Sequence, residues 1–155
     1  MSEKAFQDYY PADLSHCYGC GNNNAHGHQI KSFWDGEETV AEFNPLPEHT
    51  AIPGFVYGGL IASLIDCHGT GSASAAAYKA AGRELGSEPA LRFVTANLNV
   101  DFLAPTPMGQ TLKLRGTITE CKEKKVIVDI TVSAGETVCA KGRVIAVKMP
   151  ASMAS

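Results

Sequence analysis

The segment Gly58–Ala81 constrains this chain more than any other. Leu60, Ile61, Leu64 and Ile65 recur at helical spacing, alanines fill the second half, and no proline interrupts the run. That spacing predicts one long helix ending near Gly82, since glycine is a common stop just past a helix. Gly69, Gly71, Ser72, Ser74 and the alanines let other elements approach the helix closely. An interior glycine costs ~1 kcal/mol against alanine, so close packing has to offset it.

The rest of the chain reads with a period of two. His28–Trp34 and Thr39–Phe43 are predicted strands joined at the turn signal Asp35-Gly36. Pro45, Pro47 and Pro53 make the next stretch a loop. After the helix, Arg92–Leu103, Gln110–Cys121, Val126–Ala134 and Thr137–Met149 are four more β-rich runs. Pro105–Gly109, Glu123-Lys124 and Gly135-Glu136 mark the turns between them. Strand, strand, long helix, four strands is an α+β pattern: a central helix wrapped by a five- to six-stranded antiparallel sheet. Such a sheet covers one side of the helix and leaves edges open. A dimer whose two sheets join is therefore expected.

A length of 155 residues fits one domain. Residues 1–26 read as an irregular lead containing Cys17-x-x-Cys20, residues 27–149 as the domain, and residues 150–155 as a tail. Apolar residues make up 45% of the chain and charged residues 19%. The low charged share points to surface covered by a second copy. A net charge of −3 argues against a nucleic-acid partner. The sequence shows no signal peptide and no membrane-spanning run, and its five cysteines are odd in number. A cytoplasmic protein with reduced thiols follows as the expectation.

The chemistry concentrates in Pro53–Cys67, where a loop enters the helix through Tyr57-Gly58-Gly59 and Asp66 follows among apolar neighbours. The first helical amides have no internal partner, and the helix dipole makes that end electropositive. Two glycines there are either a permissive joint or an oxyanion site for a thioester carbonyl. Asp66 is either part of a solvated stripe or a general base or nucleophile facing a cleft. The two positions are eight residues apart, ~12 Å along a helix. One helix cannot bring both to a single carbonyl, whereas two antiparallel copies can, so the site is shared if both groups act. Thr95 lies in the first strand after the helix. Strict alternation puts it on one polar face with Asn97, Asn99 and Asp101, as a water-positioning hydroxyl or an ordinary β threonine.

The run Gly54-Phe-Val-Tyr-Gly-Gly-Leu-Ile-Ala-Ser-Leu-Ile-Asp66 resembles the helix entry of PaaI-like hotdog thioesterases. Thr95–Gly109 resembles that family's second landmark, and His16-Cys-Tyr-Gly-Cys-Gly a segment seen ahead of the domain in one branch. The resemblance spans most of residues 16–148. It implies a hotdog fold, acyl-CoA substrates, a homo-oligomer (a dimer or dimer of dimers), and no metal or other cofactor. By the same resemblance Asp66 corresponds to the catalytic carboxylate, the Gly58 amide to the oxyanion donor, and Thr95 to a hydroxyl assisting water. Tyr57 stands where the family usually has His, and Ala51 where some relatives carry an amide or glycine. Tyr57 and Gly59, with His49 and Thr50 just upstream, are the candidate substrate contacts.

Three rival readings remain. Cys17 and Cys20, with His16, His26 and His28 nearby and the last two as a second ligand pair, have the ligand types of a zinc site, although a cap with apolar buried cysteines is the plainer reading. A non-catalytic CoA-ester-binding module of the same fold would bind ligand and release no thiol. A hydratase would pair a histidine with a carboxylate. His68 stands ~200° around the helix from Asp66, which disfavours that pairing. No Gly-x-Ser-x-Gly or phosphate-loop motif occurs.

Overall fold

The computed structural model describes residues 4–153. Two short 3-10 turns, Phe6–Tyr9 and Ala12–Leu14, lead into an irregular segment. Then come β1 (Ser32–Asp35), β2 (Glu38–Phe43), α1 (Gly58–Ala80), β3 (Phe93–Phe102), β4 (Leu112–Cys121), β5 (Lys125–Ala134) and β6 (Thr137–Lys148). Six strands form one antiparallel sheet in the order β1-β2-β4-β5-β6-β3, wrapped on α1. This is the hotdog fold expected from the sequence. Among the described residues no helix is long and apolar enough to cross a membrane.

The helix is where the spacing put it, and Gly82, at φ +67°, ends it in the left-handed region. The first strand is shorter than expected. Gln29 adopts φ +53°, and its amide donates to the carbonyl of Asn24 at 3.0 Å, so the chain turns before β1 begins at Ser32. The C-terminal tail makes a 3-10 turn at Ala151–Met153. Ala154 and Ser155, like Met1–Glu3 of the lead, lie outside the described residues.

Leu64 and Ile65 on α1 are fully buried, against a sheet face carrying Leu112, Val128 and Val144. Each such side chain contributes about 1.5–3 kcal/mol on leaving water. Two glycines set the helix-to-sheet distance. A Cβ on Gly69 would lie 2.5 Å from Val144, and one on Gly142 would lie 2.6 Å from Ile65. A polar seam crosses this core. The His68 ring bonds Ser32 at 2.8 Å and Thr39 at 3.1 Å, Gln7 bonds Ser32, and Ser72 donates to Thr39 at 2.7 Å. Burial lowers the His68 pKa to about 4, so the ring is neutral at pH 7.

Candidate active site

From Cys67 to Ala76, α1 is buried on every side. Its first half is open at Gly58, Gly59, Ala62, Ser63 and Asp66. Spacings of three and four residues put these on a single stripe. Asp66 therefore projects from the uncovered stripe of the first half of α1, separated by the enclosed stretch Cys67–Ala76 from the exposed last turn at Lys79 and Ala80.

Thr95 of β3 donates a hydrogen bond to Asp66 Oδ1. Among the described hydrogen bonds Oδ2 has no partner. The contact depends on a bulge that simple alternation misses. The β3–β6 register slips between Thr95 and Asn97, with Thr95 opposite Ala146 and Asn97 opposite Ile145. Residues facing each other across a pair share a face. Thr95, Leu98, Val100 and Phe102 thus point with Ala146, Val144, Gly142 and Ala140 toward the helix side. Asn97, Asn99 and Asp101 point to the outer face. The polar face proposed for Thr95 from strict alternation is therefore corrected: the bulge separates the threonine from those three residues.

At the helix start Tyr57 is the N-cap and makes no side-chain cap bond. The Leu60 and Ile61 amides donate to its carbonyl, and the Gly58 and Gly59 amides donate to no backbone carbonyl. Gly58 opens onto a shallow recess of about 370 Å3 lined by Phe55, Ile61, Phe102 and Pro105. A Cβ on Gly58 would lie 3.3 Å from the Phe102 ring. The Tyr57 ring folds over Gly59, where a Cβ would meet it at 2.4 Å. The bulky residue at this entry is thus accommodated by the glycine beside it.

On the other side of Tyr57 lies a cavity of about 510 Å3 whose lining includes Tyr18, His28, Phe43, His49, Gly59 and Ser63. His28 packs edge-on to His49 at 5.2 Å and to Phe43 at 5.5 Å. Burial, and the nearby His49 charge, lower the His28 pKa. His49 also accepts the Leu46 amide at 2.9 Å. Thr50 donates to the Phe55 carbonyl at 3.4 Å and lines neither this cavity nor the recess at Gly58. Of the candidates, Asp66 and Thr95 come together in one group, and Tyr57, Gly59 and His49 in another. Ser63, Phe43 and Tyr18 escaped the sequence reading, which considered His28 only as a zinc ligand. Only Ser63, three residues before Asp66 on the same helix, carried a signal that spacing could have used.

His28 and His26 do not join the Cys17-Cys20 pair as the zinc reading required. The third member of that cluster is Cys67. His68 points into the buried seam, away from the open stripe, and forms no pair with Asp66.

Neither the recess nor the cavity is lined by Asp66 or Thr95. A single chain holds a carboxylate–hydroxyl pair and, separately, a helix start with two free amides. Beside them β3, ten residues long, pairs with β6 on one side and among the described residues has no strand on the other. Leu98 and Phe102 on it are 38% and 55% exposed although they face the helix side.

Comparisons with known proteins agree with this architecture. The family model described as Thioesterase superfamily matches residues 53–141. A thioesterase superfamily protein from Shewanella loihica PV-4 is 56% identical over 89% of this chain and 97% of its own, with a TM-score of 0.69. The Escherichia coli PaaI protein from the phenylacetic acid degradation operon is 17% identical over 79% and 81% of the two chains, with a TM-score of 0.63. The smu.793 protein from Streptococcus mutans UA159, solved bound to acetyl CoA, is 19% identical over 77% and 88%, with a TM-score of 0.57. No curated protein matches the chain.

Proposed function

The chain belongs to the thioesterase superfamily, and on that premise we propose that it hydrolyses acyl-CoA thioesters to free acid and CoA, as a homo-oligomer whose sites are shared between copies. The observation that carries this reading is the Thr95–Asp66 pair on the open helix stripe, beside the open side of the edge strand β3 and remote from the Gly58 amide. Two copies joined along β3 would set their α1 helices antiparallel. The start of each would then face the middle of the other.

In such a site the thioester carbonyl oxygen takes hydrogen bonds from the Gly58 amide of one copy, at the positive end of its helix dipole. Asp66 of the other copy takes a proton from water as the water oxygen bonds to the carbonyl carbon. The tetrahedral intermediate then expels the CoA thiolate, which takes up a proton, and leaves the free acid. Direct attack by Asp66 would instead give an acyl anhydride that water opens. Where water opens the anhydride at the aspartyl carbonyl, a single turnover in 18O-water identifies the direct route, since only that route moves an Asp66 oxygen into the acid and leaves 18O on Asp66. Thr95 holds one carboxylate oxygen, leaving Oδ2 to act. Tyr57, Gly59 and His49 border the cavity that would take the acyl or pantetheine arm, while the Thr50 hydroxyl is engaged with Phe55. The acetyl CoA held by the Streptococcus protein is the ligand class proposed here.

The five cysteines are free, with Cys17 and Cys67 sulfurs unbonded at 3.7 Å, which supports a reducing, cytoplasmic setting. The test is a panel of acyl-CoAs scored by thiol release, with Asp66→Asn in parallel. Turnover of one or more acyl-CoAs, lost in Asp66→Asn, is expected. Ligand binding without thiol release would instead identify a binding module.

A further inference from the structure

Three of the five cysteines converge. Cys17 and Cys20 from the N-terminal lead and Cys67 from α1 bring their sulfurs within 4.8 Å of one another. The loop that carries the first two is built for this approach. The Gly21 amide donates to the Cys17 carbonyl at 2.7 Å, and a Cβ on Gly21 would lie 2.4 Å from the Cys17 nitrogen, so a side chain there opens the turn. A Cβ on Gly19 would lie 2.2 Å from Cys67 Sγ, so only glycine lets the loop press on the helix.

A second, independent observation concerns charge. Arg92 Nη1 and Tyr10 Oη are buried with no hydrogen-bond partner, and the guanidinium lies 4.3 Å from the Tyr10 ring centre. A buried cation without a counter-charge is costly. Burial works against the Arg92 charge, whereas Tyr10 and then the three cysteines, if ionised, work for it, and the balance favours the charged form. Burial pushes the Tyr10 hydroxyl well up, so no phenolate answers Arg92 at neutral pH. The sulfurs remain. Cys17, Cys20 and Cys67 are the groups near Arg92 that can carry the opposite charge.

We infer that Cys17, Cys20 and Cys67 form a metal site for a thiophilic divalent cation, zinc, which ties the N-terminal lead to the catalytic helix. The Cys17–Cys67 sulfur separation of 3.7 Å is far from a disulfide bond of about 2.05 Å. It matches the ~3.8 Å edge of a tetrahedron with zinc–sulfur bonds of ~2.3 Å. Three thiolates select zinc over magnesium or calcium, which prefer oxygen. Three thiolates around Zn2+ leave one negative charge, which Arg92 balances. Water fills the fourth position from the Cys17 side, the partly exposed one. The sequence pointed to histidines for the missing ligands because only the fold brings Cys67 to the pair.

The inference does not depend on the thioesterase reading, and its test does not use activity. Reduced, metal-stripped full-length protein is titrated with cobalt(II) and then zinc. We expect thiolate-to-cobalt charge-transfer absorption saturating at one ion per chain and displaced by zinc, with a zinc-dependent rise in melting temperature. Cys17→Ser, at the partly exposed position, should fold by circular dichroism and lose both signals. Cys121→Ser, at an exposed thiol outside the cluster, should keep them. Absence of the band in wild type, or its persistence at full strength in Cys17→Ser, would overturn the inference. So would a Cys17–Cys67 disulfide in protein purified without reductant, if the reduced protein then takes up no metal.

Discussion

The Thr95 hydroxyl donates to the Asp66 carboxylate, joining the edge strand β3 to the middle of α1 at the uncovered stripe of that helix's first half. A carboxylate held on one oxygen presents the other in a fixed direction, which is what a base or nucleophile requires. Asp66→Asn keeps the shape and the hydrogen bond and removes the proton acceptor. Thiol release should fall by about 10²–10⁴-fold, with secondary structure and oligomer size unchanged. Activity close to wild type across the acyl-CoA panel would remove Asp66 from the mechanism.

Thr95→Val keeps the β-branched shape and deletes the donor. A misdirected carboxylate should lower kcat by up to about 10²-fold with KM little changed. Thr95→Ser should restore most of the rate. Equal loss in the serine and valine variants would mean that the methyl group, not the hydroxyl, matters.

The helix start allows a test of the oxyanion donor. Gly58 is the first helical residue, where proline is well tolerated, and Tyr57 before it has φ −62° and ψ 130°, which proline also accepts. Gly58→Pro therefore removes the amide hydrogen while keeping the helix. Gly58→Ala keeps the hydrogen with a similar crowding of Phe102. The proline variant should lose about 10²–10³-fold in kcat, and the alanine variant much less. Equal losses would assign the effect to Phe102 crowding.

The buried His68 gives stability a pH dependence with a defined sign. Its folded pKa, about 4, lies below the unfolded value near 6.5. Between those values the unfolded chain binds a proton that the folded chain does not. Stability is thus fully present above about pH 6.5 and is lost as pH falls toward 4, by up to about 3 kcal/mol. Denaturant unfolding across that window should show the slope in wild type and a smaller one in His68→Gln. An equal slope in both would assign it to other groups.

Much of the fold was legible because it rests on period. The apolar spacing of Leu60–Ile65 and the long proline-free run fixed α1, and the strands after it follow from alternation between turn residues. Alternation also produced the main error. A bulge at Thr95–Asn97 leaves no mark in residue types, so Thr95 was grouped with Asn97, Asn99 and Asp101, which the register slip sends to the opposite face. Gln29 hid a left-handed residue in an apparent strand for the same reason. Of the site, Asp66 and Gly58 were visible because both break the local rule for their surroundings, a carboxylate among apolar residues and paired glycines at a helix start. His28, Phe43 and Tyr18 meet His49 only through tertiary packing. Cys67 meets Cys17 across a sequence separation of fifty, which no local pattern encodes.

The central claim is that Asp66 and the Gly58 amide serve one thioester from different copies of the chain. Co-expressing Asp66→Asn and Gly58→Pro chains with different tags, and purifying the mixed dimer, tests it most directly. Such a dimer has one site with both defects and one with neither, so thiol release should recover to about half the wild-type rate per dimer. A mixed dimer as inactive as either parent would contradict the shared site.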